Sequence, residues 1–334
     1  MDEVMTQMTT IRDVAKHAGV SVATVSRVLN GNGYVHEDTR SKVEQAIREL
    51  NYTPNEVARS LYKRKSKLIG LLLPDIMNPY FPQLARGVED EMQENDYRLI
   101  FGNSDESKKK EMEYIQTFIQ NNVVGVISST NDPEADMYQD LNIPVVFLDR
   151  TSNDRPSVYA DGREGGRIAA REIVSRGSKA ITLMQGPANV RPAQERFEGA
   201  AEALAEQGAS FQVLETTSFS LSRAEGFAQE VFRRYPDTDG VIASNDILAS
   251  AVLKEAHRLG KRVPEDVQII GFDDILLSSL LYPSLSTIHQ PAYEMGREAA
   301  KLLIGLIEGE RMERSSVEFS VTFMERQTTR KVES

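Results

Sequence analysis

Residues 20–30 read VSVATVSRVLN. Whether this run is an ordinary amphipathic helix or one face of a reading head decides the fold of the first fifty residues. Ser21 is placed as the N-cap of VATVSRVLN, because a serine oxygen can accept from the orphan amides of a first turn. On that helix Val25, Val28 and Leu29 share one face, and Val22, Ala23, Ser26 and Arg27 share the opposite one. Upstream, TIRDVAKHAG has the same construction. Thr10 can cap it, Ile11, Val14, Ala15 and Ala18 line up at helical spacing, and Gly19 stands just past its end. Downstream, Gly31 and Gly33 stop the second helix. HEDTRSKVEQAIRELN then reads as a third, with Val43, Ala46, Ile47 and Leu50 facing inward. Helix, tight turn, helix and supporting helix make a helix-turn-helix head over residues 8–52.

The outer face of VATVSRVLN suits a major groove. Val22 and Ala23 can meet thymine methyl groups, and Arg27, one turn later, can meet guanine. Charge distribution agrees. Residues 8–67 hold 11 Lys and Arg against 6 Asp and Glu, a balance of +5. Residues 68–334 hold 28 against 42, a balance of −14. A basic head on an acidic body is the pattern expected when only the head meets nucleic acid.

A second region, residues 53–67, contains TPNEVARSLYKRKSK. Pro54 can start a helix of one or two turns, too short to be stable alone, and KRKSK is a basic tether. From Leu68 the pattern changes. LIGLLLPD, YRLIFGNS, VVGVISS and IPVVFLD are strand-like, separated by FPQLARGVEDEMQEN and KKKEMEYIQTFIQN, whose basic start reads as a solvated helix end. After SVYADGREGGRIAAREIVSRG the alternation resumes with strands ITLMQG, FQVLETTSF, DGVIASND and VQIIGFDD. Continuous apolar strands alternating with helices mean parallel sheets covered on both faces. The expected fold is therefore an all-α head plus an α/β body, residues 68–334, of two doubly wound parallel-sheet lobes. Ligands of such sheets bind at the carboxyl ends of strands, which points to the cleft between lobes.

Composition excludes several classes. There is no cysteine, hence no thiol nucleophile, disulfide or zinc-thiolate site. No apolar run is long enough for a membrane span. The opening MDEVMTQMTT lacks the basic and apolar regions of a signal peptide, so a cytoplasmic protein is expected. The four histidines have no metal-binding spacing: His17 reads as surface and His289 as structural. Gly162, Gly165 and Gly166 lack dinucleotide-loop spacing and read as a turn and helix start. No cofactor, metal or catalytic group is expected.

The stretch TIRDVAKHAGVSVATVSRVLNGNGYVHEDTRSKVEQAIRELNYTPNEVARSL resembles the DNA-binding head of the LacI family of bacterial repressors, chiefly in the pattern TxxDVAxxAGVSxxTVSRVxN. The resemblance continues through the body and covers nearly the whole chain. It implies that Ser21, Thr24, Asn30 and Tyr34 contact phosphates. It also implies that residues 55–62, with Asn55, Ala58 and Leu61, form a hinge helix on operator DNA, with Leu61 wedged into the minor groove. The body is similar to periplasmic sugar-binding proteins, so the implied ligand residues stand at strand ends and cleft-facing helix starts. They are Asn78, Tyr80 and Phe81 after the first strand, Asp149 and Arg150 ending IPVVFLDR, and Arg196 at a helix start. Phe219, Asn245, Asp273 and Gln290 complete the set. Aromatic rings with carboxylates, amides and guanidiniums suit a free sugar, and the set's similarity to that of ribose-binding proteins implies ribose first. The set departs from ribose-binding proteins near Gln194, where those carry a further arginine. Asp246 reads as a helix cap, and Asp274 as the exposed neighbour of Asp273.

The implied function is a homodimeric repressor of a palindromic operator, released when sugar closes the cleft. Its rivals are a regulator switched by another sugar or by a phosphorylated carrier protein, a sugar-binding transport component and a sugar-processing enzyme. The chain ends FMERQTTRKVES without a leucine heptad, so a dimer rather than a tetramer is expected.

Overall fold

The computed structural model describes residues 9–31, 33–53, 66–150, 155–310 and 315–332. The chain divides into two compact units, residues 1–66 and 67–334.

In the first unit, α1 spans Ile11–Ala18, α2 Val22–Asn30 and α3 Glu37–Glu49. Val14, Ala15, Val25, Val28, Val43 and Ala46 are buried together, flanked by Ile11, Ala18, Leu29, Ile47 and Leu50. These are the inward faces read from the spacing. Gly19 and Gly31 close α1 and α2 at φ 66° and 64°, left-handed values that glycine adopts at little cost. The start of α1 differs in detail from the expected cap. The Asp13 carboxylate accepts from the Thr10 amide at 2.8 Å and from the Thr10 hydroxyl at 2.6 Å. Reaching back in this way satisfies an amide outside the first turn. His17 is exposed, as expected, and its Nε2 lies 2.7 Å from Glu49 Oε2, tying α1 to α3.

The second unit begins with β1 Leu68–Leu73, α4 Tyr80–Glu94, β2 Arg98–Asn103, α5 Lys108–Gln120 and β3 Gly125–Ser128. The single turn α6 Asp136–Gln139, β4 Val145–Leu148 and β5 Ser157–Ala160 follow. Then come α7 Gly162–Ser175, β6 Ile181–Gln185, α8 Arg191–Glu206, β7 Phe211–Glu215 and α9 Leu221–Arg234. Next are β8 Gly240–Ile242, α10 Asp246–Arg258, β9 Gln268–Asp273 and β10 Ser286–His289. The last elements are α11 Ala292–Glu308, β11 Ser316–Phe319 and β12 Thr322–Met324.

Among the described residues the strands form two sheets, ordered β11-β5-β4-β3-β1-β2 and β12-β10-β9-β8-β6-β7. All pairings are parallel except β10 with β12. The central strands β3, β4 and β9 are buried along their whole length, as sheets covered on both faces require. The alternation read from the sequence accounts for four strands in each lobe. The structure adds β5, β10, β11, β12 and the long α11. The four strands are three or four residues long, too short to show a period, and β11 and β12 are only partly apolar. The glycines of GREGG follow β5 directly and lie inside α7.

The chain passes between the lobes three times: from β5 into α7, from β10 into α11, and from β11 into β12. Each lobe carries one close helix crossing built on facing glycines. A Cβ on Gly87 of α4 would lie 2.0 Å from the Tyr293 carbonyl, and one on Gly296 of α11 would lie 2.2 Å from that of Leu84. In the other lobe a Cβ on Gly166 of α7 would lie 2.1 Å from the Arg196 carbonyl, and one on Gly199 of α8 would lie 1.9 Å from that of Arg163. The second crossing fixes where Arg196, on the same turn of α8, enters the cleft.

Candidate functional site

On the head, the Ser21 hydroxyl accepts from the Thr24 amide at 3.1 Å and lies 2.9 Å from the Thr24 hydroxyl. Both residues therefore serve the cap, as well as standing where the resemblance puts phosphate contacts. Val22, Ala23 and Arg27 are exposed and Ser26 is half-buried, while Val25 and Val28 are buried beneath them. Tyr34 is 89% exposed, so no packing role accounts for its ring. The side chain of Asn30 and the residues Asn55, Ala58 and Leu61 lie outside the described residues.

In the body, nine of the ten candidate ligand residues line one small cavity between the lobes: Asn78, Tyr80, Phe81, Asp149, Arg150, Arg196, Phe219, Asn245 and Asp273. Val190 and Pro192, which the sequence reading did not single out, complete its wall. The first lobe supplies the turn into α4 and the end of β4. The Tyr80 hydroxyl donates to Asp149 Oδ1 at 2.8 Å, and burial beside that carboxylate pushes the phenol pKa well up. Phe81 packs edge-on to Tyr80. Asp149 has φ 70°, a conformation that non-glycine residues keep only where their surroundings impose it.

The second lobe supplies α8 and the ends of β8 and β9. Arg196 is buried. Its Nη1 donates to the Ser244 carbonyl at 2.9 Å and lies 3.3 Å from Asp273 Oδ1, and its guanidinium sits 3.9 Å over the Phe272 ring. Asp273 has φ 111°, and burial holds its carboxyl pKa well above the usual range, against the pull of Arg196. Gln290 is not a wall of the cavity. It stands behind Asp273 and donates to Asp273 Oδ1 at 2.8 Å. Gln194 is exposed, bonds to the Ala188 carbonyl and also stays out of the wall.

Asp246 and Asp274 both depart from the sequence expectation. Asn245, not Asp246, caps α10: its Oδ1 accepts from the Leu248 amide at 2.9 Å. Asp246 is fully buried and accepts from the Ile275 amide and the Ser278 and Thr287 hydroxyls at 2.9, 2.6 and 2.5 Å. Even so, burial pushes its pKa up to about 6. Asp274 is not exposed. Its side chain is 12% accessible and pairs with Arg326 at 2.6 Å and His289 at 3.0 Å. Sequence spacing alone does not tell which of two adjacent polar residues faces inward, because the left-handed backbone at 273 and 274 breaks strand alternation.

The cavity measures about 20 Å³, roughly the space one water needs. A wider recess of about 630 Å³ shares Asn78, Phe81, Val190 and Phe219 with it. Among the described residues, three polar atoms of the small wall have no partner: Arg150 Nε, Arg196 Nε and Asn245 Nδ2. All three are donors. Buried unpaired donors are costly, and a ligand rich in hydroxyl oxygens would satisfy them while its own hydroxyls donate to Asp149 and Asp273. The described residues contain no cluster of three or more histidine and carboxylate groups suited to a metal ion. None of their helices is long and apolar enough to cross a membrane.

Residues 10–55 match the family model of bacterial regulatory proteins of the lacI family, and residues 170–329 match that of the periplasmic binding protein-like domain. The chain is 61% identical to the ribose operon repressor of Bacillus subtilis (strain 168), over 97% of this chain and 99% of that one. It belongs to the LacI family. This LacI-family chain is thus a transcriptional regulator rather than an enzyme. Its structure is similar to that of the lac repressor dimer bound to operator and an anti-inducer (TM-score 0.87, 25% identity, 97% of this chain and 100% of that one). It is also similar to a LacI family regulator from Enterococcus faecium with bound ribose (TM-score 0.71, 30% identity, 79% of this chain and 98% of that one).

Proposed function

We propose that this LacI-family regulator represses a ribose operon, binding a palindromic operator as a homodimer in the cytoplasm and leaving it when ribose occupies the inter-lobe cavity. One observation carries the effector half of this reading. Among the described residues, the cavity wall presents three unpaired donors and two carboxylates beside Phe81 and Phe219, which is the complement of a small polyol. Likeness to a ribose operon repressor and to a ribose-bound regulator supports ribose as that polyol.

On the DNA side, Val22, Ala23, Ser26 and Arg27 read bases, while Ser21, Thr24, Asn30 and Tyr34 hold phosphates. Asn55, Ala58 and Leu61 act at the hinge, with Leu61 as the minor-groove wedge. One head reads too little sequence for operator affinity, so two heads bind two half-sites. Asn78, Tyr80, Phe81, Asp149, Arg150, Arg196, Phe219, Asn245 and Asp273 grip the sugar, and Gln290 orients Asp273. Since sugar enters a cavity of about 20 Å³ only when its walls move, binding is tied to a shift of the lobes.

An operator titration tests the whole reading. Saturating ribose is expected to weaken operator binding at least tenfold, about 1.4 kcal/mol. Unchanged affinity overturns ribose as the effector. The same assay tests the reading face. Arg27→Ala is expected to cost about 1–3 kcal/mol on the cognate operator and much less on unrelated DNA. Equal losses on both would make Arg27 a phosphate contact.

A further inference from the structure

Arg150 reaches the cavity wall with its guanidinium already held. It is 4% exposed, and its Nη2 and Nη1 donate to the two oxygens of Glu106 at 2.7 and 3.1 Å. The Asn131 amide donates to the same carboxylate. Glu106 is not a wall of the small cavity. It lines the wider recess and grips Arg150 from outside.

The backbone is shaped for this. Asp105 and Glu106 have φ 49° and 56°, two successive non-glycine residues in the left-handed region. Asn103 Nδ2 donates to Asp105 Oδ1 at 2.5 Å and Lys110 pairs with the same carboxylate, which pins the turn. The turn carries the Glu106 carboxylate to Arg150 and Asn131.

The side-by-side nitrogens of Arg150 are the fork with which arginine takes a carboxylate or a phosphate. Glu106 occupies that fork and leaves Nε, which is buried and unpaired among the described residues. Formally the wall carboxylates Asp149 and Asp273 balance the guanidiniums Arg150 and Arg196, and Glu106 adds one negative charge beside them. We propose that Glu106 is a positioning and specificity-determining residue of this sugar site. It fixes Arg150 for hydroxyl contacts and denies its fork to phosphate, so the cleft takes a neutral pentose and rejects a phosphorylated one. The inference rests on the sugar-binding reading above.

Calorimetric titration of the full chain with ribose and ribose 5-phosphate decides it. Wild type is expected to prefer ribose by at least about 100-fold. Glu106→Gln is expected to weaken ribose about tenfold, because Arg150 must then be ordered by the ligand, and to narrow the preference at least about tenfold. Glu106→Asp keeps the charge and shortens the reach. It is expected to weaken ribose while keeping the preference, so the test stands on this variant alone if Glu106→Gln does not melt cooperatively. Wild type that binds ribose, with either variant departing from its pattern, overturns this inference alone. Wild type that binds no ribose overturns the ribose reading and this inference together.

Discussion

Asp273→Asn is expected to leave a repressor that binds its operator and no longer hears the sugar. Asp273 is the point where three second-lobe groups meet. Arg196 is 3.3 Å away, Gln290 donates to the same oxygen, and the β9 end holds the residue at φ 111°. The amide keeps the shape but cannot ionise beside Arg196, and it turns one acceptor into a donor. Arg196 then has the Ser244 carbonyl and the Phe272 ring, with no described counter-charge of the wall's own lobe beside it. A hydrogen bond from a sugar hydroxyl to a carboxylate contributes about 1.5–3 kcal/mol, and disturbing Arg196 adds to that loss. Ribose affinity should therefore fall at least about 100-fold, or about 2.7 kcal/mol. Operator affinity without sugar should stay within about threefold, since the variant leaves the head untouched. Ribose that releases wild type should leave Asp273→Asn bound. A variant that titrates ribose like wild type would remove Asp273 from the site.

Gly199→Val should damage the body more than any exposed substitution on the same helix. The Cβ alone would stand 1.9 Å from the Arg163 carbonyl, and backbone does not yield as a flexible side chain does. Helices α7 and α8 must separate, or the pair must slide. Overpacking of this kind costs about 1–3 kcal/mol for ordinary contacts, and backbone-to-backbone contact puts this site at the upper end. Thermal melts should show a midpoint lower by on the order of 10 °C. Gly226→Ala is the control. It lies in α9 with nothing within 4 Å of its Cβ, so it should raise stability by about 0.5–1 kcal/mol. Because Arg196 is carried on α8 three residues before Gly199, any folded Gly199→Val protein should also bind ribose more weakly. An unchanged midpoint would show that the crossing is slack.

Much of this was legible because it rests on local chemistry. Caps, helix faces and closing glycines lie within a few residues of one another in the head, so spacing alone places Val25 and Val28 inward and Arg27 outward. In the body, the rule that ligands gather at strand ends, together with the family resemblance, found nine residues that line one cavity. What escaped depends on three-dimensional approach. Asn245 and Asp246 are equally plausible caps in the sequence, and only the fold turns Asp246 toward Ser278 and Thr287. Asp274 has partners 15 and 52 residues away, His289 and Arg326. Glu106 reaches Arg150 across 44 residues from a turn whose left-handed backbone no propensity announces. The strands β10, β11 and β12 are too short to carry a period.

The three passages between lobes also set an order of manufacture. The first sheet receives β1 to β5 early, yet α11 and its edge strand β11 come from residues 292–319. Leu303 of α11 covers Gly125 on β3, so the apolar face of that strand stays open until α11 arrives. A ribosome making this chain therefore delivers a head whose core is complete by residue 52, then an unfinished lobe that waits for residues 292–319. Truncation anywhere before residue 292 removes the cover of the first lobe, not merely the tail of the second.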